Sequence, residues 1–458
     1  MFRKRIKQNF ISFAIISLVA LVSLTGSFST VTEAKSHGSG KVKNIIFLIG
    51  DGMGVSYTSA YRYLKDDPST KFVEETAFDR FLVGQQMTYP EDPAQNVTDS
   101  ASAATAMAAG VKTYNNAIAV DNDESEVKTV LEAAKEKGKA TGLVATSEIT
   151  HATPASFGAH DISRKNMNAI ADDYYDELVN GKHKIDVLLG GGKDLFLRQD
   201  RNLVEEFQKD GYSYVSNRKE LLKDKNKQVI GLFAPAGMPK MIDRDQNTPS
   251  LEEMTKSAIE RLNKNKNGFF LMVEGSQIDW AGHDNDIVAA MSEMEDFERA
   301  FQAAVEFAKK DKQTLVVATA DHSTGGFSIG ADGIYNWFGE PIKAAERTPD
   351  FIADQILKGA NAEQTLKQYI NLDLTNEEIQ SVKDAAKTKN YTKIDDAIEN
   401  IFNQRSHTGW TTGGHTGEDV QVYAFGPSSA RFAGNLDNTD HAKIIFDLLK
   451  AKVKIDDK

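Results

Sequence analysis

The chain has 458 residues, a formal net charge of −12 at pH 7 and no cysteine. An acidic chain without a basic stripe disfavours binding to nucleic-acid phosphates, so we expect no nucleic-acid partner. The absence of cysteine excludes disulfides, and we expect bound metal ions to supply part of the stability.

Residues 1–34 resemble a secretory signal peptide. Basic residues at positions 3–7 precede an apolar stretch at 11–24, and small and polar residues follow up to Ala34. This stretch is shorter than the roughly 20 residues that span a bilayer, although an uncleaved anchor is the alternative. We therefore expect a leader at 1–34, a catalytic domain at 35–458, and an extracellular protein, either free or associated with the cell surface, with no stable membrane span after cleavage.

The next apolar run, residues 44–49, predicts a strand. Asp51 follows this run directly, within the sequence GDGMG. Glycines let the backbone turn sharply and approach an ion closely, which leaves the carboxylate free to bridge two metals. The alternative is an ordinary Asp-Gly turn between a strand and a loop.

Ser100 stands at the start of a predicted helix. The sequence VTDS leads into an alanine-rich run at 101–109, which Gly110 closes. A helix amino terminus favours an anion such as an alkoxide or a phosphoryl oxygen, but Asp99 and Ser100 are also common N-caps. No Gly-x-Ser-x-Gly elbow supports a Ser-His-Asp hydrolase, so a metal is the alternative activator of the serine.

Short apolar runs and helical patterns alternate along the rest of the chain. The runs lie at 142–145, 185–189, 269–273, 314–318 and 420–425, and the helical patterns near 126–138, 251–265 and 291–309. Continuous apolar strands separated by helices indicate a mostly parallel sheet that is covered on both faces. We therefore predict a three-layer α/β/α sandwich. Residues 330–406 are more charged and predict a mainly helical insertion near the site.

Chemically active side chains follow the later runs. Glu274 directly follows the run at 269–273. Asp279 and His283 lie four residues apart, so they share a helix face and can bind one ion. A helical ion pair is the alternative for this Asp and His. Asp321 and His322 follow the run at 314–318 in the same way.

His415 precedes the run at 420–425 and brings a further imidazole, although a lone histidine near glycines is usually structural. The carboxyl ends of parallel strands converge on one crevice, where hard oxygen and borderline nitrogen ligands together suit two or three divalent cations. The pattern therefore indicates a metal-dependent hydrolase.

The motifs DGMG, VTDS, VEGSQIDWAGH, TADH and GHTGE occur in this order. From about residue 43 to 449 the chain resembles the alkaline phosphatase family, and most of all the secreted, Bacillus-type enzymes of Gram-positive bacteria. The resemblance implies a phosphomonoesterase that acts on small-molecule phosphate monoesters through a phosphoserine intermediate, with two Zn²⁺ and one Mg²⁺, and a homodimer.

The resemblance also implies a role for each site residue. Ser100 is the nucleophile and Arg164 the clamp on the phosphoryl group. The implied ligands are Asp279, His283 and His415 for the first zinc, Asp51, Asp321 and His322 for the second zinc, and Asp51, Thr153 and Glu274 for the magnesium ion.

Two positions depart from the best-known Gram-negative pattern, which has Asp and Lys where this chain has His151 and Trp280. We expect these two residues and Asp99 to surround the ligands, and we expect the imidazole of His151 to change the charge and hydrogen bonding around the third ion. Three other kinds of protein are the alternatives to a phosphomonoesterase. A phosphodiesterase usually has Thr as nucleophile, and a sulfatase needs a Cys or Ser that becomes formylglycine. The third, a phosphate- or metal-binding surface protein without turnover, would need no nucleophile beside a complete set of metal ligands.

Overall fold

A computed structural model describes residues 40–452, so the expected leader at 1–34 lies outside the described residues. A ten-stranded sheet forms the centre of the molecule. In chain order its strands are β1 (Asn44–Gly50), β2 (Leu82–Met87), β3 (Ala140–Glu148), β4 (Val187–Gly191), β5 (Ser213–Val215), β6 (Val229–Leu232), β7 (Phe269–Gly275), β8 (Thr314–Ala320), β9 (Val420–Phe425) and β10 (Gly434–Asp437).

The strand order across the sheet is β10-β2-β9-β8-β1-β7-β3-β4-β6-β5. All neighbouring pairs are parallel except those that β9 makes with β8 and β2, which are antiparallel. The register places Gly50, the last residue of β1, beside Gly275 of β7 and Ala320 of β8. Residues that follow these three central strands therefore emerge at the same level of the sheet.

Helices cover both faces of the sheet. Their bounds are α1 (Val55–Lys65), α2 (Ala77–Phe81), α3 (Ser100–Ala109), α4 (Val130–Glu136), α5 (Ala152–Gly158), α6 (Met167–Asp176), α7 (Lys193–Phe196), α8 (Leu203–Lys209), α9 (Arg218–Lys223), α10 (Leu251–Leu262), α11 (Gln277–Asp284), α12 (Ile287–Asp311), α13 (Glu340–Lys343), α14 (Pro349–Leu357), α15 (Ala362–Tyr369), α16 (Asn376–Lys387), α17 (Tyr391–Ser406) and α18 (Thr439–Leu449). No helix among residues 40–452 has both the length and the apolar character that a bilayer span requires.

The central strands are apolar throughout because both of their faces are buried. Along β1, Ile46 and Leu48 join the core beneath α10 and α12, while Ile45, Phe47 and Ile49 join the core beneath α3, α5 and α18. Successive side chains of a strand point to opposite faces, so a strand inside a three-layer sandwich needs apolar residues at every position. This arrangement confirms the predicted fold class.

The expected insertion contains helices α13 to α17. Helix α17 packs against α14 and α16 and also contacts the long helix α12, which covers the sheet. Buried apolar residues of α14 and α17 belong to the same core as α12. The insertion is thus attached to the main body by its own apolar face.

Four strands of the sheet were not predicted, namely β2, β5, β6 and β10. β2 and β10 contain polar and exposed residues because they lie at one end of the sheet. His415 precedes β9, as expected, and lies in a two-residue strand that pairs with Ser323–Thr324. Two further two-stranded ribbons pair Leu178–Val179 with Lys182–His183 and Ser328–Ile329 with Thr408–Gly409.

Candidate functional site

Three carboxylates meet at the carboxyl edge of the central strands. Asp51 follows β1, Glu274 lies near the end of β7 and Asp321 follows β8. All three side chains are fully buried. Burying ionised carboxylates is costly unless cations or hydrogen bonds compensate them, so this edge is electrostatically suited to metal ions.

A first cluster joins one face of α11 to the segment around His415. Asp279 and His283 are one helical turn apart, and His283 Nε2 lies 3.3 Å from Asp279 Oδ2. His415 Nε2 lies 3.6 Å from Asp279 Oδ1 and 3.1 Å from His283 Nε2. The three groups predicted to share an ion are therefore in contact with one another.

Backbone carbonyls orient the two imidazoles of this cluster. His283 Nδ1 lies 2.7 Å from the Gly413 carbonyl, and His415 Nδ1 lies 2.9 Å from the Thr98 carbonyl. When both rings are neutral, donation from Nδ1 leaves the two Nε2 lone pairs facing each other. A cation between them stabilises that arrangement, which is the usual way that a protein fixes histidine ligands to zinc.

A second cluster surrounds Ser100. His322 Nε2 lies 3.5 Å from Asp51 Oδ1 and 3.3 Å from Asp321 Oδ2. The Ser100 hydroxyl donates to Asp51 Oδ1 at 3.4 Å, and its oxygen lies 3.2 Å from His322 Nε2. The Gly52 amide donates to Asp321 Oδ1 at 3.0 Å, while Oδ2 of this carboxylate has no hydrogen-bond partner within residues 40–452. The candidate nucleophile thus contacts two of the expected ligands directly.

Unpaired oxygens mark a third position next to the second cluster. Asp51 Oδ2, Glu274 Oε1 and Thr153 Oγ1 are buried and have no hydrogen-bond partner among the described residues. Buried oxygens without partners are uncommon. Carboxylate oxygens of Asp51 and Glu274 lie within 4.8 Å of one another, and the Thr153 hydroxyl is close enough to Glu274 to interact with it, so the group suits a hard cation. A ligand atom of His151 also lies within 4.8 Å of the carboxylate oxygens of Asp51 and Glu274. The structure therefore brings His151 closer to this position than we expected.

Asp99 caps α3, and this leaves the Ser100 side chain free. The Ser102 amide donates to Asp99 Oδ1 at 3.0 Å, whereas the Ser100 hydroxyl points toward Asp51 and His322. The capping role considered for Ser100 therefore belongs to Asp99. Ser100 remains at the amino end of a ten-residue helix, where the helix dipole favours negative charge.

Arg164 reaches the same site from the loop after α5. Its Nη1 donates to Asp99 Oδ2 at 3.0 Å, and its Nη2 lies 3.2 Å from His151 Nε2. The ring of Trp280, on α11, meets the His151 ring edge-on, with 5.7 Å between the ring centroids. The structure thus brings the expected clamp and its three neighbours together beside Ser100.

Burial is the largest influence on the pKa values of the carboxylates in the site. It raises the pKa of Asp321 to about 6 and that of Glu274 to about 7, and it raises the pKa of Asp51 well above the usual range. Burial also acts on Asp279, but the hydrogen bond with His283 and the nearby imidazoles hold the pKa of this carboxyl well below its usual range. The hydrogen bond with Asp279 raises the pKa of His283 to about 9. Protons and metal ions compete for these atoms, so bound cations would keep the carboxylates ionised.

Sequence reasoning missed several groups that orient the ligands. The Thr324 hydroxyl donates to Asp279 Oδ1, and the Tyr57 hydroxyl donates to the Thr324 carbonyl at 2.7 Å. Thr324 follows the TADH motif and Thr98 belongs to VTDS, so motif context could have indicated both. Tyr57 and the Gly413 carbonyl carry no sequence pattern of their own, since their roles arise only from folding.

Comparisons with known proteins point to one family. The family described as alkaline phosphatase matches residues 42–451. The chain is 70% identical to alkaline phosphatase 3 of Bacillus subtilis, over 99% of this chain and all of that protein. It is 55% identical to alkaline phosphatase 4 of the same organism, over 98% of each. The crystal structure of a cold-active alkaline phosphatase from a psychrophilic Shewanella superposes with a TM-score of 0.84 at 42% identity, covering 89% of this chain and 99% of that one.

Proposed function

The chain belongs to the alkaline phosphatase family and is a metal-dependent phosphomonoester hydrolase, and on this premise we propose that Ser100 is its nucleophile. The contacts of Ser100 carry the proposal. Its hydroxyl lies at the amino end of α3 and contacts both Asp51 and His322, which are expected metal ligands. No other role is evident for this hydroxyl, because Asp99 provides the helix cap.

The donor atoms support a division of the metals into two Zn²⁺ and one Mg²⁺. We assign to the first zinc Asp279, His283 and His415, and to the second zinc Asp51, Asp321 and His322. Mixed carboxylate and imidazole ligands of this kind suit Zn²⁺. We assign to the third site Asp51, Thr153 and Glu274, whose oxygen atoms suit Mg²⁺.

We propose a two-step phosphoryl transfer. In the first step Ser100 Oγ attacks phosphorus, a phosphoserine forms, and the ester oxygen leaves with a proton as the alcohol. In the second step water attacks phosphorus, the Oγ–P bond breaks, and inorganic phosphate leaves while Ser100 regains its proton. When bound, the zinc ions would lower the pKa of the serine and neutralise charge on the oxygens that enter and leave.

Arg164 orients the phosphoryl group in this scheme. Its planar guanidinium can donate to two phosphoryl oxygens, and Asp99 holds it in place through a 3.0 Å hydrogen bond. The helix amino terminus at Ser100 adds partial positive charge near the same oxygens. Because these groups recognise the phosphoryl group and not the alcohol, the proposal includes broad specificity for phosphate monoesters.

Metal analysis combined with an activity assay tests the nucleophile. We expect Ser100→Ala to retain zinc but to lose at least about a thousandfold in turnover of an aryl phosphate, since the covalent step is gone. Ser125→Ala is the matched control, because Ser125 is exposed in a loop. Turnover by Ser100→Ala within tenfold of the unaltered enzyme would contradict the assignment, and so would loss of activity only in step with loss of zinc.

The proposal includes export and a homodimer. The basic and apolar composition of residues 1–34 supports export from the cell. The family resemblance supports the homodimer. Activity in the culture medium and sedimentation of the purified protein are the corresponding tests.

A further inference from the structure

Five acidic side chains gather where the insertion meets the end of α11. Asp284 is the last residue of α11, and Asp286 lies in the turn between α11 and α12. Asp350 lies in the first turn of α14, and Asp395 and Glu399 lie one turn apart on α17. None of these residues is an expected zinc or magnesium ligand. We call this group the acidic cluster.

The acidic cluster brings oxygens from three separate elements close together. Asp284, Asp350 and Asp395 each offer a carboxylate oxygen, and these oxygens all lie within 4.8 Å of one another. Asp286 and Glu399 are close enough to interact electrostatically with Asp395. Asp284 is exposed and Asp350 is partly exposed, so a solute can reach the cluster from solvent.

Two of these carboxylates are buried with an oxygen left unpaired. Asp395 is 3% exposed and Asp286 is 2% exposed. Asp395 Oδ1 and Asp286 Oδ2 have no hydrogen-bond partner in the described part of the chain. The other oxygen of Asp286 caps α12, where it accepts from the Val288 and Ala289 amides at 2.8 and 3.0 Å. The helix cap thus explains one oxygen of Asp286 and leaves the second without a role.

The protein supplies too little positive charge for these carboxylates. Lys240 acts on both Asp284 and Asp286, and its Nζ makes no hydrogen bond to any described residue, while the His283 imidazole acts more weakly on Asp284. Burial and neighbouring carboxylates raise the pKa of Asp395 to about 9 and that of Glu399 to about 11. One ammonium and one neighbouring imidazole cannot balance five carboxylates, so the cluster must take up protons or a further cation.

We propose that the acidic cluster binds one calcium ion. Its ligands are oxygens, with no imidazole or thiolate in the group, and this chemistry favours a hard cation over zinc. Calcium accepts six to eight oxygens in irregular geometry, whereas magnesium demands a near-ideal octahedron and retains its waters. The ion would link α14 and α17 of the insertion to the last residue of α11, next to His283, and so would hold the insertion against the helix that carries the expected zinc ligands.

Calcium binding to the intact enzyme tests the proposal. We would saturate the enzyme with zinc and magnesium and then measure bound radioactive calcium by equilibrium dialysis. We expect one calcium ion per chain, with affinity roughly tenfold or more weaker in Asp395→Asn and in Asp350→Asn, because each variant loses a ligand charge. Glu377→Gln, an exposed acidic residue on the neighbouring α16, is the matched control and should bind calcium normally.

Thermal unfolding provides a second readout that does not depend on activity. Calcium should raise the Tm of the unaltered enzyme but not that of Asp395→Asn. Without calcium, Asp395→Asn should be at least as stable as the unaltered enzyme, since it removes a repelled charge. Equal calcium binding by the enzyme and both ligand variants would overturn the proposal, and so would no binding at millimolar calcium. Ser100→Ala should bind calcium normally, which separates this test from that of the nucleophile.

Discussion

Trp280 leaves the phosphate side of the site without a second cationic side chain. Its indole meets His151 edge-on and packs against Gly237. An indole carries no charge, so Arg164 alone supplies a full side-chain charge among the residues assigned to the phosphoryl group. We therefore expect the residue at position 280 to affect how tightly the enzyme binds phosphate.

Replacing Trp280 with lysine should tighten product inhibition. An ammonium near the phosphoryl group attracts phosphate across a few ångströms, and we expect the inhibition constant of inorganic phosphate to fall by roughly threefold to tenfold. Trp280→Met is the matched control, because methionine is unbranched like lysine but neutral. Identical inhibition constants for the lysine and methionine variants would refute the argument.

The two carboxylate oxygens of Asp99 have different hydrogen-bond partners. Oδ1 caps α3, while Oδ2 accepts from Arg164 Nη1 and from the Asn116 amide, each at 3.0 Å. Asp99→Asn retains a cap but weakens the hold on Arg164, because it removes the charge that pairs with the guanidinium. We expect KM and the phosphate inhibition constant to rise roughly threefold to tenfold, with zinc content unchanged. Unaltered kinetic constants, or loss of zinc, would contradict this role.

The sequence alone predicts where some of the candidate site residues lie, but it does not predict the role of others. Asp51 and Asp321 could be placed from the sequence alone, because each directly follows an apolar run and parallel strands end at one edge. The importance of Arg164 came only from the family resemblance. Its pairing with Asp99 joins residues 65 positions apart, and nothing in the local sequence marks that contact.

Helix α11 depends on a close approach at Gly282. A Cβ atom at this position would lie 2.3 Å from the Tyr57 hydroxyl and 3.0 Å from Thr324 Cβ. Gly282→Ala should therefore push α11 outward and separate Asp279 and His283 from the remaining ligands. We expect zinc affinity to fall roughly tenfold to a hundredfold, as is typical when groups that position metal ligands are disturbed.

A second substitution tests whether the Tyr57 hydroxyl is the obstacle that an alanine at position 282 would meet. Tyr57→Phe removes the hydroxyl that the new methyl group would meet, so Tyr57→Phe with Gly282→Ala should bind zinc better than the alanine variant alone. Zinc titration of the two single variants and the double variant gives the interaction energy. Additive losses in the double variant would show that the hydroxyl is not the obstacle.

Helix α4 begins with a buried polar network that makes stability depend on pH. Glu132 accepts from the Thr129 amide at 3.0 Å, lies 3.0 Å from His160 Nε2 and is 3.6 Å from Lys184 Nζ. Burial alone would raise the pKa of Glu132, but these partners, His160 first, lower the pKa to about 2 from an ordinary 4.5. A lowered carboxyl pKa stabilises the fold above about pH 4.5, and the contribution is lost as the pH falls toward 2.

Glu132→Gln should lower the free energy of unfolding at pH 7 by up to about 3 kcal/mol. The difference from the unaltered protein should shrink as the pH falls from 5 toward 3, because acid removes the same contribution from the glutamate. Urea unfolding across this range measures it. Glu136→Gln, on the same helix with a more exposed ion pair to Lys128, should show little effect. A difference independent of pH would rule out the ionic explanation.

The sequence predicted some elements of the fold much better than others. Strands β1, β7 and β8 were evident because burial on both faces demands apolar residues throughout. Strands β2 and β10 were not predicted, because strands at this end of the sheet tolerate polar residues and lack a continuous apolar run. The antiparallel direction of β9 was equally hidden, since it depends on how the chain returns from the insertion and not on the residues of the strand.

At the scale of the whole molecule, stability and metal binding depend on the same buried charges. Asp51, Glu274 and Asp321 are fully buried, and the chain has no cysteine with which to form a disulfide. Metal ions that bind the folded chain and not the unfolded chain stabilise it by mass action, by about 4 kcal/mol at a concentration one thousand times Kd. We therefore expect the central sheet to depend on ions at its carboxyl edge as well as on its two apolar cores.

Removing the metals should accordingly lower the Tm by roughly 10 °C, given about 2–4 °C per kcal/mol for a large domain. Calorimetry of chelated and reloaded enzyme measures the shift, and zinc with magnesium should restore most of it. Ser100→Ala should show the same loss and recovery, because it retains every expected ligand. Calcium added after zinc and magnesium should raise the Tm again if the acidic cluster is occupied, and this second rise should be absent in Asp395→Asn. An unchanged Tm after complete removal of the metals would show that the two apolar cores suffice, and the buried carboxylates would then have to be neutralised by protons.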